Sequence, residues 1–194
     1  MDYFNQMGQA KEKLPQIKSK SNIFIGDYPF HEELKEEMVS LLEDYPDCQN
    51  NETNVKGTMT EWSMDMLYSS WNNIHKLDRL KDTILKESYR FYGSNHYPEN
   101  LKFTSFWGNI YRKGDYTTSH DHLFTHLGCV YFLKSEWYYS PLVFSDYGQR
   151  IRPKEGRYVI FPSHLFHHVP KHRFKETRIT LSGNIFDDSG KLTG

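Results

Sequence analysis

From about residue 101 the hydrophobic period of this chain becomes two, and it stays so to about residue 186. "KFTSFWGNIY" (102–111) alternates Phe103, Ser105, Trp107, Asn109 and Tyr111 on one expected face. After a turn at Gly114, "DYTTSHDH" extends again, and "LGCVYFL" (127–133), "SPLVFSD" (140–146), "GRYVIFP" (156–162), "LFHHV" (165–169) and "TRITLSGNIF" (177–186) follow. Turn residues separate them. Side chains two apart on a strand share a face, so each run can serve one buried sheet surface. Short strands at this spacing predict a sandwich, barrel or jelly roll.

The first hundred residues obey another period. "NIFIGDY" (22–28) reads as a short strand. In "PFHEELKEEMVSLLEDYP" (29–46), Leu34, Met38, Leu41 and Leu42 recur at helical spacing, and Pro46 follows the end. Glu32, Glu33, Glu36 and Glu37 read as a solvated first turn, favourable at a helix N-terminus. Residues 47–64 read as a polar loop, and 69–92 as a second helix with Trp71, Ile74, Leu77, Leu80, Ile84, Leu85, Tyr89 and Tyr92 on a broad face. Residues 1–20 are expected to be a loosely docked tail. The expectation is therefore one domain over 1–194: helical support over 1–100, and a mainly β core over 101–186 with the helices on one outer face.

Bulk properties exclude more than they assign. A formal net charge of -1, with Lys and Arg spread along the chain, gives no electrostatic reason for a nucleic-acid or anionic-membrane partner. No run approaches the ~18 apolar residues of a membrane span. The N-terminus lacks an apolar signal-peptide core. Two cysteines, Cys48 and Cys129, are too few for a disulfide scaffold, and Cys129 reads as a small buried hydrophobe. A cytoplasmic location is expected.

Chemistry is concentrated in the histidines. Of ten, seven lie between residues 120 and 172. "SHDH" sets His120 and His122 two apart, where a strand projects them together and sends Asp121 to the opposite face. "FPSHLFHHV" brings His164, His167 and His168, and Arg178 opens the last strand. An oxygen-activating non-haem iron(II) site uses two histidines and a carboxylate on one side of the metal, leaving the other positions open. A dicarboxylate cosubstrate then needs a fixed cation, and Arg offers a bidentate fork.

Taken in order, these pieces resemble the 2-oxoglutarate- and iron(II)-dependent oxygenase superfamily, and within it a group of bacterial and phage proteins of about this length. The resemblance rests on Trp107, Asn109, Tyr111 and Gly114; His120 and His122; "GCVYFL"; Gly156 with "FPSHLFHHV"; and Arg178, Thr180, Ser182 and Asn184. It spans residues 105–184 and implies a double-stranded β-helix, the cupin-like jelly roll. It implies iron(II) and 2-oxoglutarate as cofactors, with His120 and His167 as metal histidines. Arg178 would pair with the distal carboxylate of 2-oxoglutarate and Thr180 would assist it, while Asn109 and Tyr111 would hydrogen-bond the cosubstrate. The implied activity is hydroxylation of a C–H bond in a protein, for instance at a prolyl residue, or in a small molecule.

One position departs from the family. Where most members carry an acid, this chain has His122. Either His120, His122 and His167 form a three-histidine site, or Asp121 swings in through a local irregularity; strand geometry favours His122. Two further readings stand beside the oxygenase: a three-histidine cupin-type enzyme without 2-oxoglutarate, and a non-catalytic binding module. His126, His164 and His172 read as strand-end or loop histidines, and His168 as an outer-face residue.

Overall fold

A computed structural model of the protein describes residues 23–46, 53–64, 71–89 and 101–188. The expectations for the N-terminal tail, for Cys48 and for residues 90–100 lie outside these. Among the described residues, two helices and eleven strands follow one another: β1 (Phe24–Asp27), α1 (His31–Glu43), β2 (Val55–Lys56), β3 (Thr58–Met59), α2 (Ile74–Ser88), β4 (Leu101–Tyr111), β5 (Tyr116–His120), β6 (Leu127–Lys134), β7 (Leu142–Phe144), β8 (Gln149–Ile151), β9 (Arg157–Pro162), β10 (His167–Val169) and β11 (Arg178–Asp187).

The strands form two antiparallel sheets, ordered β1-β9-β6-β11-β4-β3 and β2-β5-β10-β7-β8. The large sheet is buried on both faces, which explains why β6 reads as a nearly unbroken apolar run. Leu127, Cys129, Tyr131 and Leu133 join Leu34, Met38, Leu42, Leu77, Leu80 and Ile84 of the helices in one core. Val130 and Phe132 point the other way, into a second core with Leu142, Phe144 and Val169 of the small sheet. The jelly roll with helices on one outer face is thus the observed architecture, and Cys129 is buried as expected, its thiol pushed up to about 12 by desolvation.

Three local expectations are corrected. The polar stretch 53–64 is not simply a loop: it contributes edge strands to both sheets, β2 on β5 and β3 on β4, and buries Thr58 and Thr60. Thr60 Oγ1 accepts from the Gly108 amide at 2.9 Å, so hydroxyls complete a pairing that apolar periodicity does not signal. Strand β8 was not foreseen; "QRI" is too short and polar to register. The stripe on β4 is broken as well. Pairing with β11 matches Asn184 to Ser105 but Ile185 to Phe103, so one residue of β4 is extra. Such a bulge reverses the face of what precedes it. Trp107 and Tyr111 enter the core between the sheets, whereas Phe103 packs with Phe106 on the helix side.

The acidic first turn of α1 does more than meet solvent. Glu37 accepts from Trp71 and Asn73 and pairs with Lys76 at 2.8 Å, and Glu33 pairs with Arg79. These contacts tie α2 to α1. No described helix is long and apolar enough to cross a membrane.

Candidate metal centre

Between the two sheets lies a cavity lined by side chains of β4, β5, β10 and β11. Its walls come chiefly from two pairings, β11 with β4 and β5 with β10. On β11, the even-numbered residues Arg178, Thr180 and Ser182 face inward, because Ile179, Leu181 and Ile185 are committed to the helix-side core. On β4, Trp107, Asn109 and Tyr111 face the same space. Opposite them, β5 and β10 pair with His120 directly across from His167.

His120, His122 and His167 each present a ring nitrogen within 4.8 Å of the others. His120 and His167 are in ring contact, 4.3 Å between centroids, and His122 stacks on His167 at 4.9 Å. His122 lies just past the end of β5, so the strand pleat alone does not aim it. Its amide donates to the Ser163 carbonyl at 2.8 Å, and Trp107 and Phe161 flank its ring.

The outer nitrogens set the tautomers. Nδ1 of His120 donates to the Thr118 carbonyl and Nδ1 of His167 to the Leu165 carbonyl, both at 2.9 Å. Each ring therefore keeps its Nε2 lone pair for the cluster, the second-shell arrangement that orients metal-binding imidazoles. Nε2 of His122 stands 3.2 Å from Nε2 of His167, which turns the other side of its ring toward the Asn184 amide. Burial holds all three rings neutral. His122 is lowered to about 3 by desolvation and then by His120, His167 lies well below the usual imidazole range for the same reasons, and His120 is lowered less. Three neutral, convergent nitrogens in a dry setting are a donor set for a divalent transition metal.

Asp121 is not in the cluster. Its Oδ1 accepts from the Leu123 amide at 3.4 Å, within its own turn. That turn carries Phe124 at φ 83°, a left-handed conformation for a non-glycine residue. The Thr125 amide and hydroxyl both donate to the His122 carbonyl there, fixing the backbone that presents His122. His126 accepts from the Asp187 amide, and the His172 ring bonds the Glu176 carbonyl, so both are structural, as expected. His168 faces away and contacts Ser145. His164 is also outside the cluster.

Arg178 is the most demanding residue of the cavity. It is 0 % exposed, and Nε, Nη1 and Nη2 have no hydrogen-bond partner among the described residues. Its guanidinium rests over the rings of Tyr111 at 4.8 Å and Phe132 at 5.4 Å. The Tyr111 oxygen is near enough to interact, but it is engaged with Thr117 Oγ1 at 2.7 Å and gives no well-directed bond. Burial presses the Arg178 pKa downward, yet a guanidinium keeps its proton in proteins. A buried, unpaired cation costs several kcal/mol. It is explained when a carboxylate occupies the cavity.

Asn109 has less freedom than the sequence suggests. Its Oδ1 accepts from Trp107 Nε1, and its Nδ2 donates to Ser182 Oγ at 3.0 Å and, weakly, toward Thr180 Oγ1 at 3.4 Å. It therefore orients the hydroxyls beside Arg178. Sequence reasoning gave no part to Thr117, or to Asn184 as a neighbour of the His122 ring. The period of two on β11 already placed Ser182 and Asn184 on the face of Arg178, and that was the available signal for the latter.

A family model described as "Putative 2OG-Fe(II) oxygenase" matches residues 145–184, the segment with His167 and Arg178. No curated protein sequence matches the chain. Among solved structures, a prolyl hydroxylase from Trichoplax adhaerens, in complex with a hypoxia inducible factor peptide, aligns with TM-score 0.64 and 13% identity. The alignment covers 98% of this chain and 96% of that one. A Pseudomonas putida prolyl-4-hydroxylase aligns with TM-score 0.62 and 13% identity, covering 86% and 93%. HygX from Streptomyces hygroscopicus, with nickel and 2-oxoglutarate bound, gives 0.62 and 11%, covering 86% and 83%. The chain shares their fold, and the resemblance read from its sequence is to 2-oxoglutarate- and iron(II)-dependent oxygenases.

Proposed function

We propose that this chain is an iron(II)- and 2-oxoglutarate-dependent oxygenase whose metal is held by His120, His122 and His167. The observation that carries the reading is the pairing of two unusual features in one cavity: a convergent neutral histidine triad and a buried arginine with no anion of its own. A metal alone answers the first and a carboxylate alone the second. A keto dicarboxylate with iron answers both, and the family match over 145–184 includes one residue from each.

The residues fit that pair of cofactors. Neutral imidazoles bind iron(II) without first losing protons near neutral pH. Arg178 offers a fork for the distal carboxylate, and Thr180 and Ser182, held by Asn109, add hydroxyl donors on the same strand face. Tyr111 and Phe132 wall the guanidinium off from water, which strengthens its attraction for an anion. Trp107 and Phe161 hold the His122 ring between them. When bound, iron(II) and 2-oxoglutarate supply dioxygen activation, with oxidation of the keto acid to succinate and hydroxylation of a substrate C–H bond. The substrate is a protein side chain or a small molecule; two of the similar structures are prolyl hydroxylases, which makes a prolyl group one candidate.

The test is succinate formation in air from iron(II), 2-oxoglutarate and protein. Succinate above the protein-free background, abolished in both His167→Ala and Arg178→Met, supports the proposal; none from metal-loaded protein refutes it. His122 favours a second reading, a three-histidine metalloenzyme without 2-oxoglutarate. It requires that Arg178→Met leave activity unchanged.

A further inference from the structure

Resting on the oxygenase reading, we infer that the substrate enters this cavity as an anion, presenting a carboxylate group beside the keto acid. The observation is the charge that the described lining leaves uncompensated. Its ionisable side chains are His120, His122 and His167, Arg178 and Tyr111, and it contains no aspartate or glutamate. An imidazole binds a metal in its neutral form and the buried Tyr111 phenol stays protonated, so Arg178 is the one fixed charge.

Neutral ligands leave a divalent metal its whole charge. The two carboxylates of 2-oxoglutarate cancel that charge, and the Arg178 guanidinium then remains in excess. A carboxylate at the position of His122 would have closed the balance. Asp121, its sequence neighbour, does not replace it: the carboxylate is part-exposed, is turned to the Leu123 amide and lies outside the cluster. Water screens a charge at the rim far more than one inside. The excess positive charge therefore sits in a space with apolar walls that include Trp107, Val130 and Leu142, where an unpaired ion is costly. A neutral substrate would leave it so, and an anionic one removes it.

The experiment uses cobalt(II)-loaded protein without oxygen, saturated with 2-oxoglutarate, and follows the visible cobalt spectrum and the heat of binding. Acetate is compared with acetamide, its uncharged isostere, and a capped glutamyl dipeptide with its glutaminyl counterpart. The expected result is a preference of at least about tenfold, or about 1.4 kcal/mol, for the charged member of at least one pair. A preference for acetate alone assigns a free acid, and one for the glutamyl peptide as well assigns an acidic side chain; either supports the inference. His122→Asp, which restores the missing charge, is expected to bring the preference to near parity while 2-oxoglutarate still binds. Equal binding within both pairs by the wild-type protein overturns the inference, as does a preference that His122→Asp leaves intact. If 2-oxoglutarate fails to perturb cobalt in the wild-type protein, the oxygenase reading itself falls and this inference with it.

Discussion

Replacing Arg178 by methionine is expected to separate stability from function in opposite directions. Arg178 is 0 % exposed and none of its three side-chain nitrogens has a hydrogen-bond partner among the described residues. Nothing favourable is lost when its charge goes, apart from ring contacts with Tyr111 and Phe132. Exchanging a buried charge for an apolar group of similar size is neutral or stabilising by about 1–4 kcal/mol. In a domain of this length each kcal/mol moves Tm by about 2–4 °C, so Tm of the apo variant should stay level or rise. Binding of 2-oxoglutarate should suffer instead. Two charge-assisted hydrogen bonds at about 1.5–3 kcal/mol each correspond to an affinity loss of roughly a hundredfold to ten-thousandfold. Thermal melts of apo protein and calorimetric titration of the metal-loaded form measure the two effects. A variant whose Tm falls by more than about 5 °C, with 2-oxoglutarate affinity within about threefold of wild type, would refute the reasoning. Arg178 would then be a structural residue whose partners lie elsewhere.

Further expectations attach to single contacts. Each of His120→Ala and His167→Ala should lose metal measured by elemental analysis after gel filtration, whereas His168→Ala, on the outer face, should retain it. The metal-free protein should lose stability as pH falls through the imidazole range. His122 and His167 stay neutral when folded but titrate near 6.5 when unfolded, so the unfolded state gains protons first. By pH 5 each should have cost about 2 kcal/mol, visible in denaturant melts at pH 7.5 and pH 5; an unchanged midpoint would contradict the burial of the triad. Gly128→Ala should disturb the site, since its new methyl would meet the Phe161 ring at 2.7 Å and His122 at 3.3 Å. A cost of about 1–3 kcal/mol and weaker metal retention are expected.

The sequence reveals the large sheet because the chain satisfies it through hydrophobicity. β6 and β9 read as nearly continuous apolar runs and β11 as an alternating one, and their residues separate into the two cores as their parity demands. The same parity carried His120 and His167 to one face, and Arg178 with Thr180. What stayed hidden was held by polar contacts or by a change of register. Thr60 reaches Gly108 through a hydroxyl, which no hydrophobic period reports. The bulge before Ser105 turned Phe103 to the helix side, and a single extra residue leaves no compositional trace. Glu37, read as a solvated acid, anchors α2 through Trp71, Asn73 and Lys76, residues more than thirty positions away. Nor does the sequence disclose that Arg178 has no partner. That is a property of everything packed around it, and it is the observation on which the functional reading leans most.

The most direct test of the account is spectroscopic. Anaerobic addition of iron(II) and then 2-oxoglutarate should produce a weak visible charge-transfer band from the metal to the keto acid that chelates it. The account predicts that band in the wild-type protein, its loss in His167→Ala, and its recovery in Arg178→Met only at much higher 2-oxoglutarate concentration. Absence of the band from wild-type protein shown to carry iron would contradict it.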